Sequence, residues 1–143
     1  MAYNRVLCPF LSTYLINNNM NNTREKGAIG EEIACIYLKN HDYLIQERNY
    51  YKKWGEIDII AAKDGIVHFI EVKSVINKGS NNGHRPEDNV HELKVRKLRR
   101  VIQTYLNERK YASDAEFKFH VITVVTDEKT GKSLVKMLEN IIL

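Results

Sequence analysis

Two isoleucine-rich runs, Glu56 to Ala62 (EIDIIAA) and Ile66 to Val72 (IVHFIEV), flank the dipeptide Asp64-Gly65. Asp-Gly favours the type I′ turn, whose twist matches that of antiparallel strands. The runs are therefore expected to form a β-hairpin, and the turn sets its register. Lys63 pairs with Ile66. Counting outward, Ile59 faces Ile70, Asp58 faces Glu71 and Glu56 faces Lys73. Alternation makes Asp58 and Glu71 a non-hydrogen-bonded pair, with α-carbons only about 4.5 Å apart. Two carboxylates so placed repel each other. Their neighbours Ile57, Ile59, Ile60, Ile70 and Val72 mark strands buried on both faces, so the pair requires a proton, a cation or a metal ion.

Magnesium suits such a pair, because it is hard and takes carboxylate oxygens together with several waters. Lys73 lies two residues beyond Glu71 and so on the same face. Its ammonium is placed to hold an attacking water or to stabilise charge on a phosphorane. Glu56 is expected on that face too, as a partner of Lys73 or a further acid. The bland reading of these residues is a cross-strand salt-bridge network.

The 143 residues suit one domain with a real core. Hydrophobic residues at 43% and charged residues at 28% are a soluble globular balance. A net charge of +4 suits a polyanionic partner without requiring one. The two cysteines, Cys8 and Cys35, form no Cys-x-x-Cys pair; a reducing, cytoplasmic compartment is the simplest expectation. No run of eighteen apolar residues exists. Val6 to Ile16 follows Arg5 like a signal peptide, but Pro9, Ser12 and Thr13 interrupt it and Asn17 to Asn22 offers no cleavage site. Residues 1–22 are expected to be a poorly ordered extension and 23–143 a single domain.

Ile29, Ile33, Ile36 and Tyr37 recur at helical spacing and predict a helix over 24–40. Tyr43 to Tyr50 reads as a strand before the hairpin. Asn77 to Asp88 reads as a loop. Val90, Leu93, Leu98, Val101, Ile102, Tyr105 and Leu106 predict a second helix over 89–109, and Phe117 to Val125 a fourth strand. Ser133 to Leu143 fits a strand or a short helix. The order αβββαβ implies an α/β fold, a mixed sheet flanked by helices.

Gly30-Glu31-Glu32-Ile33-Ala34, Arg48-Asn49, Gly55-Glu56-Ile57-Asp58 and Phe69-Ile70-Glu71-Val72-Lys73, in this order, resemble the YraN-like family of uncharacterised bacterial proteins. That family is placed in the restriction-endonuclease-like, or PD-(D/E)XK, superfamily, near archaeal Holliday-junction resolvases. The resemblance covers roughly residues 24–125. It implies a restriction-endonuclease-like fold and a magnesium- or manganese-dependent nuclease acting on DNA, including branched or single-stranded forms. Asp58 and Glu71 would be its metal-binding acids, Lys73 its catalytic lysine and Glu32 a helix-borne acid reaching the metal. Lys94 matches a lysine at the start of the family's second long helix. Phe119-His120 stands where the family often has Phe-Asp. Analogy with the resolvases implies a homodimer. A nucleic-acid-binding module without activity and a protein–protein adaptor remain the alternatives.

The second helix carries Lys94, Arg96, Lys97, Arg99 and Arg100. Arg96 and Arg100, four apart, make a basic ridge fit for phosphates, with Arg85 and Lys78 in the preceding loop. A solvated helix face is the plainer reading of such a run. Trp54 and Tyr50-Tyr51 suit base stacking, although core packing is the commoner role for such residues. His84 and His91 have no compelling ligand spacing, and His120 reads as a satisfied strand histidine.

Overall fold

A computed structural model describes residues 4–6, 23–77, 79 and 92–143, with side chains at 24–77, 79 and 94–143. Helix α1 spans Thr23–Asn40, and its buried stripe is Ile33, Ala34, Tyr37 and Leu38. It stops where Asp42 takes a φ of 65°, while the Tyr43 amide donates back to the Leu38 carbonyl at 3.0 Å. Three antiparallel strands follow: β2 (Leu44–Lys52), β3 (Gly55–Lys63) and β4 (Ile66–Asn77). Helix α2 spans Glu92–Glu108, then come β5 (Phe117–Asp127) and β6 (Ser133–Leu138). The C-terminal alternative therefore resolves as a strand. Residues 89–91, expected to begin α2, lie outside the described residues, as does the loop from Lys78 to His91 apart from Gly79.

One six-stranded sheet results, in the order β1-β6-β5-β4-β3-β2. Three residues of the N-terminal extension, Asn4–Val6, form β1 and pair with β6 at its edge. Only β4 and β5 are parallel, as the α2 crossover between them requires. Strand β4 outruns its apolar stretch and reaches Asn77, because β5 pairs with it from Val67 to Asn77.

Each face of the sheet has its own core. Helix α1 packs Ile33, Leu38 and Tyr37 on Ile59, Ile70, Ile122 and Val124. Helix α2 packs Leu98, Val101, Ile102 and Tyr105 on Ile57, Ile60, Phe69 and Val121. Gly30 lets α1 settle onto β4, since a Cβ there would lie 1.5 Å from Ser74 Oγ.

His120 is a core residue, 1% exposed, registered beside Ile70 on the face under α1. The Asn140 amide donates to its Nδ1 at 3.1 Å. Its Nε2 must then carry the proton and donate to His68 Nδ1 at 2.8 Å. The ring is thus satisfied and turned away from Glu71, so histidine at this position leaves the acidic residues untouched.

Candidate active site

Asp58 sits where the hairpin stops being regular. The expected register holds from Lys63↔Ile66 to Ile59↔Ile70 and ends there. Ile57 and Ile59, two apart, should share a face, yet Ile59 packs under α1 and Ile57 under α2. The irregularity extends into β2, where Asn49 has a φ of 51° and the ladder skips from Arg48↔Ile59 to Tyr50↔Ile57. Asn tolerates that left-handed conformation better than most residues.

Asp58 Oδ2 then accepts the Val72 amide at 2.7 Å, a proton that a regular ladder would give to a β3 carbonyl. Strand amides point within the sheet, so the carboxylate lies in the fork between β3 and β4. Asp58 and Glu71 are close, but not as the ladder pair expected from the turn. Glu56 also departs from expectation: it pairs with Tyr51 across β2 and is exposed, while Lys73 turns to Glu71.

Glu71 faces the α2 side, its side chain 13% exposed. Its Oε1 accepts Lys73 Nζ at 2.9 Å and Lys94 Nζ at 2.5 Å. Burial pushes the Glu71 carboxyl up, but the two ammonium groups outweigh it and hold it below the usual range. Asp58 has no ammonium bonded to it and feels Lys73 only through space. Burial, then repulsion from Glu71, drives it up to about 7 against the Val72 hydrogen bond. One member of the pair is compensated and the other is not.

The two acids of α1 differ in their surroundings. Glu32 is more than half exposed and bonds Arg48 at 2.8 Å. Glu31, its side chain 20% exposed, is the α1 acid whose charge acts on Asp58. The signal was present in the sequence: Glu31 precedes Ala34, Cys35 and Leu38 by three, four and seven residues, and all three are buried. Ile36, four residues after Glu32, is only half-buried.

The remaining candidates divide. Lys94 reaches Glu71 and belongs to the site as well as to the α2 ridge. Arg96 and Arg100 are exposed, with the Arg100 guanidinium 4.3 Å above the Trp54 ring. That stacking uses one face of Trp54, which also packs against the α2 core. Tyr50 is buried, its hydroxyl donating to Glu108 at 2.7 Å, and Tyr51 stays exposed. Arg85, Lys78, His84 and His91 lie outside the described residues. A cavity of about 470 Å³ under the C-terminal segment, lined by Arg99, Ile102, Phe117 and Ile141 among others, includes none of the acidic residues.

Among the described residues no three His, Cys, Asp or Glu side chains gather as a metal-holding group. Two carboxylates nevertheless suit magnesium or manganese, which keep several waters. Asp58, whose ionised form has no bonded cation, supplies the chemical reason for one to bind. The donor set therefore fits.

No helix among the described residues is long and apolar enough to cross a membrane. The profile of the Uncharacterised protein family UPF0102 matches residues 30–124. A UPF0102 protein of Campylobacter lari is 41% identical over 115 residues, which cover 80% of this chain and 91% of that one. A UPF0102 protein of Helicobacter pylori strain P12 is 40% identical over 121 residues, covering 85% and 94%. The match takes in α1 from Gly30 onward, both hairpin strands, the acidic pair and Lys94, so this chain belongs to the UPF0102 family.

Proposed function

We propose that this chain is a metal-dependent nuclease of restriction-endonuclease-like fold that hydrolyses DNA phosphodiesters. The observation that carries the reading is the uncompensated Asp58 carboxylate beside Glu71, at the mouth of a fork edged by lysines. Asp58 and Glu71 would hold magnesium or manganese, with Glu31 the α1 acid whose charge also acts on Asp58. Such a cation, when bound, supplies positive charge and lowers the pKa of a coordinated water.

The other roles fall to the chain's own residues. Lys73, about one-third exposed, presents its ammonium beside the acids, where it stabilises charge growing on a phosphoryl oxygen. Arg96 and Lys97 face solvent on α2 and take backbone phosphates, with Arg100 held in place by Trp54. No described element reads base edges, so DNA structure rather than base sequence would select the substrate.

Branched, single-stranded and duplex DNA, each incubated with manganese, test the reading. Cleavage that Asp58→Ala abolishes is expected. Cleavage undiminished by Asp58→Ala refutes the assigned site. Salt-dependent binding without cleavage would instead establish a nucleic-acid-binding module of this fold.

A further inference from the structure

Lys94 shares a single carboxylate oxygen with a second ammonium. It is the third residue of the described part of α2, next to Arg96 and Lys97. It reaches across to Glu71 Oε1 at 2.5 Å, although that oxygen already accepts Lys73 at 2.9 Å. Two ammonium groups exceed what one carboxylate needs. Meanwhile no salt bridge reaches Asp58 among the described residues. The positive charge in the fork thus equals that of one divalent cation, but both ammonium groups bond Glu71, and Asp58 feels Lys73 only through space.

We propose that Lys94 is a resident competitor of the divalent cation: it occupies Glu71 in the free protein and, once displaced, binds a phosphate of the nucleic acid. This rests on the metal reading above. A cation entering between Asp58 and Glu71 would meet both ammonium groups at close range, and in a poorly solvated fork their repulsion is strong. Lys73 is fixed by strand alternation beside Glu71. Lys94, with 43% of its side chain exposed and a flexible four-carbon stem, is the one able to swing into water. Leaving Glu71, it rejoins the ridge of Arg96 and Lys97, where phosphates would lie.

The test is manganese titration of the DNA-free protein, following free Mn²⁺ by electron paramagnetic resonance. Wild type, Lys94→Gln and Lys94→Arg are compared after circular dichroism confirms folding. Lys94→Gln should bind manganese up to about five-fold more tightly, the order expected on removing one partly exposed ionic competitor. Lys94→Arg keeps the charge and should stay near wild type. With calcium in place of manganese to prevent turnover, Lys94→Gln should bind DNA less tightly than wild type. Equal or weaker manganese binding by Lys94→Gln overturns the competition while leaving the metal reading intact. Absence of binding by all three proteins overturns both.

Discussion

Asp58→Asn isolates the carboxylate that the fold leaves uncompensated. An unfolded chain holds this group near 3.8, and the folded one holds it at about 7, through burial first and Glu71 second. For an acid raised by folding the linkage runs against stability as pH increases. Below 3.8 both states are protonated and nothing is lost. Between 3.8 and about 7 the unfolded chain gives up its proton while the folded one keeps it. Above that range the loss is complete. At about 1.36 kcal/mol for each pH unit, the interval corresponds to roughly 4 kcal/mol. Asparagine keeps the size and an oxygen for the Val72 amide, and removes the charge. Urea unfolding of both proteins at pH 4 and pH 8, in chelator, measures the effect. Asp58→Asn should gain on wild type by about 4 kcal/mol more at pH 8 than at pH 4. Subtraction cancels every titration the two proteins share. A difference independent of pH would refute the claim that Asp58 is uncompensated.

Acidification should act in the opposite direction through His120, which burial, then His68, depresses to about 4 from 6.5. Its contribution is present above 6.5 and is lost as pH falls towards 4, about 3 kcal/mol at most; urea midpoints in the Asp58→Asn background that do not fall over this range would contradict it. Gly30→Ala drives a Cβ to 1.5 Å from Ser74 Oγ and should cost about 1–3 kcal/mol in urea unfolding. Adding Ser74→Ala should recover part of that loss, and no recovery would remove Ser74 as the cause. Arg96→Ala should lower the slope of log binding constant against log salt by about one, and an unchanged slope would place Arg96 away from the phosphates.

What could be read from the sequence was local, and what could not depended on distant strands. Asp64-Gly65 sets its own turn, so the register from Lys63 to Ile59 followed from that dipeptide and alternation alone. The break at Asp58 arises from β2, where Asn49 leaves the ladder, and from a carboxylate that replaces a carbonyl as the acceptor of the Val72 amide. Neither event has a period. The acids on α1 are harder to tell apart for a different reason: neighbouring residues on a helix differ by about 100° in direction, and Glu31 falls with buried Cys35 and Leu38 while Glu32 falls with half-buried Ile36. Lys94 was assigned to the phosphate ridge because helical spacing shows only which residues share a helix face. Its contact with Glu71 comes from the crossover that lays α2 across the sheet.

The same geometry bears on the adaptor alternative, in which the acids merely belong to a salt-bridge network. A network that served stability alone would distribute its cations, since a buried unpaired carboxylate costs more than a second ammonium on a paired one returns. Here both lysines sit on Glu71, and Asp58 holds only a backbone amide. Folding energy gives no reason to keep an aspartate at that position; an apolar residue among Ile57, Ile59 and Ile60 would remove the conflict. Asp58 instead interrupts its own hairpin and accepts a raised pKa. A divalent cation shared with Glu71 would remove both the repulsion and the missing charge, while displacing the surplus ammonium. The distribution of charge therefore favours a metal site over a structural network.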